Sequence, residues 1–307
     1  MTRYLINRLL QAIPTVLLVS ILVFLMLYLI PGDPAQIFLG ERQTSPEQLE
    51  IVRERMGLNR PIYVQYLDYL VHAIQGDFGT SLNNGRPVMG EILLRLPSTV
   101  ELALAAMLLA CVLGIGIGIV AALRHNTIVD TLAMLLALVG ISMPVYWSAL
   151  LLIVVFAVNL RWFPPIGEGS LDRLVLPSVA LGLLSAGSLA RLVRSSMLEV
   201  LSQDYILTAR SKGLRPRWIV IRHALRSALI PVITILGLTF GQLLSGAVLT
   251  ETIFARLGIG RMYVEAILNK DYTLVQGTTL FLALVYVLIN IGTDILYVYA
   301  DPRIKYD

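Results

Sequence analysis

Six long apolar runs, separated by polar stretches of unequal length, set the pattern of this chain: residues 9–30, 98–123, 131–158, 177–198, 231–250 and 275–299. At 1.5 Å per residue, each can cross the roughly 30 Å of bilayer hydrocarbon as a helix. The fourth is the most diluted, by Ser185, Ser188 and Arg191. Two of the intervening stretches are more than turns. In residues 31–97, Ser45-Pro46-Glu47-Gln48 has the form of a capping box, Leu49, Val52 and Met56 share a face, and Gly57 ends the helix. A second helix is predicted from Pro61, with Ile62, Tyr66, Leu70 and Ala73 on one side and Gly76 as its stop. Gly76-Asp77-Phe78-Gly79 and Asn83-Asn84-Gly85 read as turns. The other long stretch, 199–230, is polar and rich in arginine.

The pattern predicts an all-α polytopic membrane protein with six transmembrane helices. Its parts are residues 1–30, an N-terminal end and first helix; 31–97, a helical segment outside the membrane; 98–300, five further helices containing the loop 199–230; and a tail, 301–307. Composition agrees: 57% of the 307 residues are apolar and 14% charged, which excludes an ordinary soluble core. The first run follows Arg3 and Arg8, outlasts a signal-peptide core, and leads into Pro31-Gly32-Asp33-Pro34 rather than a small-x-small cleavage site, so it reads as an uncleaved anchor.

Orientation follows from the basic residues. With the N-terminus inside, thirteen of the 24 Lys and Arg fall on the inner side, close to the ends of the runs. The outer ones are spread over long loops that also hold most of the acids, so the expectation is N-in, C-in. The net charge of +4 therefore marks the inner leaflet or a cytosolic partner, not nucleic acid. Cys111, the single cysteine, lies in the second run and allows no intramolecular disulfide.

Several local features bear on helix packing. Gly116-Ile-Gly118-Ile-Val-Ala121 fits a dinucleotide-binding pattern but lies inside an apolar helix, without the strand that pattern needs. Gly114 and Gly118 instead make a small-xxx-small face. Pro144 interrupts the third run, either as a kink lining a pathway or as a packing kink. Polar residues within the runs are few. Ser142, Pro144, Gln242, Ser245 and Asn290 are the candidates for lining a pathway, since such groups face a bundle interior or a cavity. Asp294, the one acid deep in a run, reads as structural, paired with an inner-leaflet arginine such as Arg191 or Arg194, with a transport role as the alternative.

Reactive clusters are missing. His72, His125 and His223 lie in three separate segments, no histidine pair has metal-ligand spacing, and no G-x-S-x-G elbow occurs. Lys212, Lys270 and Lys305 are followed by Gly, Asp and Tyr, so none completes a Walker A sequence. No metal site, catalytic residue or resident cofactor is expected, and energy from ATP would have to come from another subunit.

The loop 199–230 is predicted to be a helical hairpin. Gly213 ends its first helix and Pro216 starts its second. Along the second, Arg215, Arg222 and Arg226 share one face and Trp218, Ile221 and Leu225 another. The tip spans Ala209 to Leu214. A basic hairpin of this kind grips lipid or a cytosolic protein.

In these residues the chain resembles the permease subunits of bacterial ATP-binding-cassette importers, of the dipeptide, oligopeptide and nickel type that includes glutathione permeases. The resemblance is carried by Asp204-Tyr205, Thr208-Ala209-Arg210-Ser211-Lys212-Gly213 and Arg222-His223-Ala224-Leu225-Arg226-Ser227-Ala228-Leu229-Ile230-Pro231. Pro31-Gly32-Asp33-Pro34, Gly76-Asp77-Phe78-Gly79 and Asp301-Pro302-Arg303 extend it essentially end to end. The general importer pattern is Glu-Ala-Ala-x-x-x-Gly. Here Leu207-Thr208-Ala209 fills the first three positions, so no glutamate takes the first role.

The resemblance implies a type I importer fold in the bacterial cytoplasmic membrane. In that reading Asp204, Tyr205, Thr208, Ala209, Arg210, Ser211, Lys212, Gly213 and Leu214 form the segment that couples to the ATPase. It implies as partners a second homologous permease, two ATP-binding subunits (or a homodimer of one) holding ATP and Mg, an extracytoplasmic substrate-binding protein, and membrane lipid. Peptides are the default solute, with glutathione and nickel chelates as alternatives. The rival from another class, an ion-gradient-driven secondary transporter, would call for an inverted repeat or a chain of buried acids, and neither is visible.

Overall fold

The computed structural model describes residues 2–29, 35–36, 46–55 and 58–300, and among these no strand forms beyond an isolated bridge between Thr80 and Pro87. The elements are α1 (Thr2–Leu29), α2 (Pro46–Arg55), α3 (Ile62–Ile74), α4 (Val88–Leu123), α5 (Ile128–Ser142), α6 (Val145–Asn159), α7 (Leu171–Leu201), α8 (Asp204–Ser211), α9 (Pro216–Ala228), α10 (Ile230–Ile253), α11 (Ile259–Leu268) and α12 (Tyr272–Ala300). The motif Pro31–Pro34, the Ser45 end of the capping box, the expected stop at Met56-Gly57 and the tail 301–307 lie outside the described residues.

Among the described residues three helices, α4, α7 and α12, are long and apolar enough to cross a membrane. Two bent pairs, α5 with α6 and α9 with α10, qualify when each pair is taken together, and α1 adds the shorter apolar stretch Leu10–Met26. The described residues of the six predicted runs are helical except at 143–144, although α4 starts at Val88 and α7 at Leu171, before the expected 98 and 177.

The third run is corrected by the structure. It is not one kinked helix over 131–158 but two helices meeting at 106°. Proline pushes the residue before it out of the helical region, and Met143 is extended, with ψ 123°. Helix α6 restarts from Pro144, whose carbonyl accepts the Trp147 and Ser148 amides. Its second half, Ile153–Asn159, widens into a π-helix.

The chain divides into two compact units, residues 1–97 with 261–288 and residues 98–260 with 289–307. In the first, α3 rests on α1. The Ser20 and Tyr66 hydroxyls lie 2.8 Å apart, and the Phe24 ring sits 5.5 Å from Tyr66 and 5.8 Å from Tyr69. Burial, and secondarily Tyr66, push the Tyr69 hydroxyl up to about 12, so it stays a neutral phenol. A fully buried carboxylate, Asp271, organises the turn before α4. It accepts hydrogen bonds from Ser81 Oγ and the Leu82 amide, and it caps α12 through the Leu274 amide.

In the second unit α7 is the centre, and glycines let its neighbours approach. A Cβ on Gly114 would stand 2.7 Å from the Ala186 carbonyl, and one on Gly118 would stand 2.7 Å from that of Ala190. Gly182 meets the Ala106 carbonyl of α4 in the same way, and Gly187 meets that of Ala137 on α5. The predicted small-residue face of α4 is therefore the one that packs on α7. Gly116, between them, has nothing within 4 Å. Replacing Gly118 by leucine forces the helices apart and should lower stability by about 1–3 kcal/mol. Gly116→Leu should change it by less than about 0.5 kcal/mol. Thermal unfolding of the two purified variants in one detergent checks this, and equal losses would contradict it.

Candidate functional site

The polar stretch between α7 and α10 folds as the predicted helical hairpin. Helix α8 ends in a Schellman turn: the Gly213 amide bonds the Arg210 carbonyl at 2.9 Å and the Leu214 amide reaches back to Ala209 at 3.3 Å. Gly213 has φ +74°, a left-handed conformation that glycine adopts without steric cost, and a Cβ there would meet nothing within 4 Å. Pro216 then occupies the first turn of α9, as its fixed φ favours.

One side of the hairpin is locked to the unit's core. Ile206 and Ala209 of α8, with Ile219, Ala224 and Ala228 of α9, join a buried cluster with Leu189, Val193 and Met197 of α7 and Ala110 and Ala122 of α4. The expected apolar face of Trp218, Ile221 and Leu225 is corrected here: Trp218 and Ile221 are more than half exposed. The reason is the winding. Ile219–Ala224 is π-helical, and with i to i+5 bonding a spacing of five, as between Ile219 and Ala224, stays on one side.

The other side is open. Asp204, Tyr205, Leu207, Thr208, Arg210, Ser211, Lys212, Gly213 and Leu214 are exposed, as are Arg215, Arg217, Arg222 and Arg226. Of the nine tip residues named from sequence, only Ala209 is buried, with the Thr208 hydroxyl folded back onto the Asp204 carbonyl at 3.0 Å. The Tyr205 hydroxyl reaches Ser227 Oγ at 3.4 Å and joins the two arms. The open side combines apolar surface with arginine and lysine, a composition suited to gripping an acidic or mixed protein groove.

Near the Leu201 end of α7, Arg194 makes a forked ion pair with Asp130, Nε to Oδ1 at 2.6 Å and Nη2 to Oδ2 at 2.7 Å. His125 Nδ1 lies 3.3 Å from the same carboxylate, and the Asn126 amide donates to it at 3.1 Å. Arg194, expected opposite Asp294, is thus directed to Asp130, the acid in the first turn of α5. Asp294 itself is half-buried on α12.

Of the pathway candidates, Ser142 and Pro144 stand exposed at the 106° break. Gln242 is exposed on α10, and Asn290 is half-buried on α12 with an Oδ1 that has no hydrogen-bond partner. The side chain of Ser245 lies outside the described residues. The structure brings out a further cluster that sequence reading missed. Arg256, 1% exposed, donates to Glu101 at 2.8 Å and lies 3.6 Å from Glu168. Glu251, fully buried, accepts the Gly260 amide at 2.8 Å, with Gly258 pressed against its carboxylate. No cluster of three or more metal-ligating side chains forms among the described residues.

Comparison with known proteins yields family matches over nearly the whole chain. The model for the binding-protein-dependent transport system inner membrane component matches residues 114–306, and that for the N-terminal part of such components matches residues 1–103. The glutathione transport system permease proteins GsiC of Salmonella typhimurium and of Escherichia coli K12 are each 42% identical over 306 residues, covering 100% of both chains. Among solved structures, the inward-facing MetNI methionine ABC transporter is similar at TM-score 0.60 and 18% identity, over 69% of this chain and 97% of the other. An amino acid ABC transporter follows at TM-score 0.51 and 14% identity, over 70% and 94%.

The Asp130 carboxylate is 4% exposed, so removing Arg194 strands a buried charge. Arg194→Met should cost about 2–3 kcal/mol, less than for a fully buried pair because the guanidinium is partly solvated. Adding Asp130→Asn should restore most of that loss. A double-mutant cycle by thermal unfolding measures the coupling, and additive losses would sink the assignment.

Proposed function

The chain belongs to the family of binding-protein-dependent transport system inner membrane components, as a multi-pass permease subunit of an ATP-binding-cassette importer, and from that premise we propose how it works. It crosses the membrane six times, N-in and C-in, with residues 31–97 outside and the hairpin 199–230 in the cytoplasm. The hairpin tip, Asp204 to Leu214, docks into an ATP-binding subunit. A second, homologous permease completes the pathway, an outer binding protein delivers the solute, and ATP and Mg are held by the ATPase pair. This chain itself catalyses no reaction.

The observation that carries this reading is the two-sidedness of the hairpin: Ile206, Ala209, Ile219 and Ala224 are buried in the unit's core, while Tyr205, Leu207, Leu214 and the basic side chains are exposed. Closure of the ATPases would displace the tip, and a tip packed against α7 would carry that displacement into the helices that bound the pathway, shifting the balance between outward- and inward-open states. The solute is a peptide or peptide-like molecule. The full-length likeness to glutathione permeases supports glutathione or a similarly small peptide.

The test separates backbone strain from bulk. Asparagine tolerates the left-handed conformation of Gly213, and nothing crowds its Cβ, so Gly213→Asn should fold with at most about 1 kcal/mol lost. In the assembled complex it should still hydrolyse ATP but lose most of its ATP-driven uptake of labelled glutathione or dipeptide into proteoliposomes. Uptake equal to that of the unaltered complex would remove the docking role of the tip. Purification of the tagged chain with no co-isolated ATPase would remove the subunit arrangement.

A further inference from the structure

Helix α3 has three distinct sides. The first rests on α1 through Tyr66 and Tyr69. The second, Gln65, Asp68 and His72, lines a cavity of about 380 Å³ whose wall also includes Tyr28, Asp77 and Gln276. The third is apolar and uncovered within its own unit. Tyr63, Leu67, Val71 and Ile74, at helical spacings of four, four and three, are 66%, 55%, 52% and 78% exposed. No charge lies in this stripe, and its one polar atom, the Tyr63 hydroxyl, sits at the end nearest the exposed Arg60.

Depth identifies what covers the stripe. Helix α1 is itself apolar along its exposed side, where Leu18, Ile21, Leu22 and Leu25 face outward. Helix α3 meets α1 between Ser20 and Tyr28, around Phe24, which lies five residues before the end of α1 at Leu29, about 8 Å along the axis. Amphipathic helices that lie in a membrane surface bury their apolar side by about 5–10 Å. A soluble partner would have to reach below the headgroups to meet these four side chains. If α1 spans the bilayer, its exposed leucines already meet a lipid leaflet at this depth.

We propose that α3 is an interfacial membrane anchor, with Tyr63, Leu67, Val71 and Ile74 seated in the acyl boundary of the leaflet at the Leu29 end of α1. Gln65, Asp68 and His72 then keep the polar side turned to the cavity. The aromatic contacts of Phe24 with Tyr66 and Tyr69 hold the depth, and the Tyr63 ring sits where an apolar body with a polar tip is favoured, at the water boundary. This goes beyond the importer reading and needs only that α1 spans the bilayer.

The test uses the full chain in its assembled complex, reconstituted in phosphatidylcholine vesicles. Cys111 is replaced by alanine, and a single Leu67→Cys or Val71→Cys carries a bimane label. Doxyl-labelled phosphatidylcholine quenches from the lipid, and iodide from water. Both labels should be quenched at least about two-fold more by the lipid probe than by iodide, as for a buried apolar side. Asp68→Cys, on the cavity side, should show no such preference. Quenching by iodide alone overturns the proposal, and so does shielding from both probes, which would place protein on the stripe. Val71→Cys reads the same stripe if Leu67→Cys does not assemble. Absence of ATP-driven uptake by the unaltered complex, with lipid quenching of the labelled one intact, would count against the proposed coupling and solute and leave the anchor standing.

Discussion

Backbone approach at α7 is the constraint on which the second unit depends. Leaving lipid gains an apolar side chain nothing in a bilayer, so helices associate through close van der Waals packing. Gly182 and Gly187 on α7, with Gly114 and Gly118 facing them from α4, bring carbonyls and Cβ atoms to separations that any larger side chain would forbid. Once α4 and α5 are held against α7 in this way, the turn 124–127 and the hairpin both emerge near its Leu201 end. There Asp130, Arg194 and His125 join them, and the helical hairpin extends the same core.

Buried acids do a second job, at helix ends. Asp271 accepts the Leu82 and Leu274 amides, Glu251 that of Gly260, and Asp130 that of Asn126. Backbone donors at such places have no helical partner, and where the acceptor is buried the carboxylate serves them in place of water. A carboxylate that takes up these donors offsets part of its own desolvation through them. This explains why acidic residues sit fully buried in a chain with so little charge.

The legibility of the sequence followed local chemistry. Gly76 and Gly213 were readable as helix stops because glycine is the usual occupant of a left-handed turn. The same hydrogen-bond pattern ends α10 at Ala255, with φ +52°, and α11 at Lys270, with φ +56°, where no residue type signals it. The π-helical stretch 219–224 escaped because its faces were drawn with a period of 3.6, and a widened turn rotates every later side chain off that grid. Pro144 announced a disturbance but not its size, since the angle depends on what the freed ends find to pack against. The partner of Arg194 lay 64 residues away, a distance in sequence that no spacing rule reaches. The hairpin was legible because its glycine, its proline and a long run of family-like residues are contiguous.

The seam joining the hairpin to α7 is made largely of alanine, at 209, 224 and 228, against Leu189, Val193 and Met197. Alanine has no side-chain rotamers, so a push on the tip finds little there to bend. On the proposed docking, the hairpin and α7 would then move as one stiff lever rather than a spring, and a displacement of the tip would be carried along this joint instead of being absorbed in it.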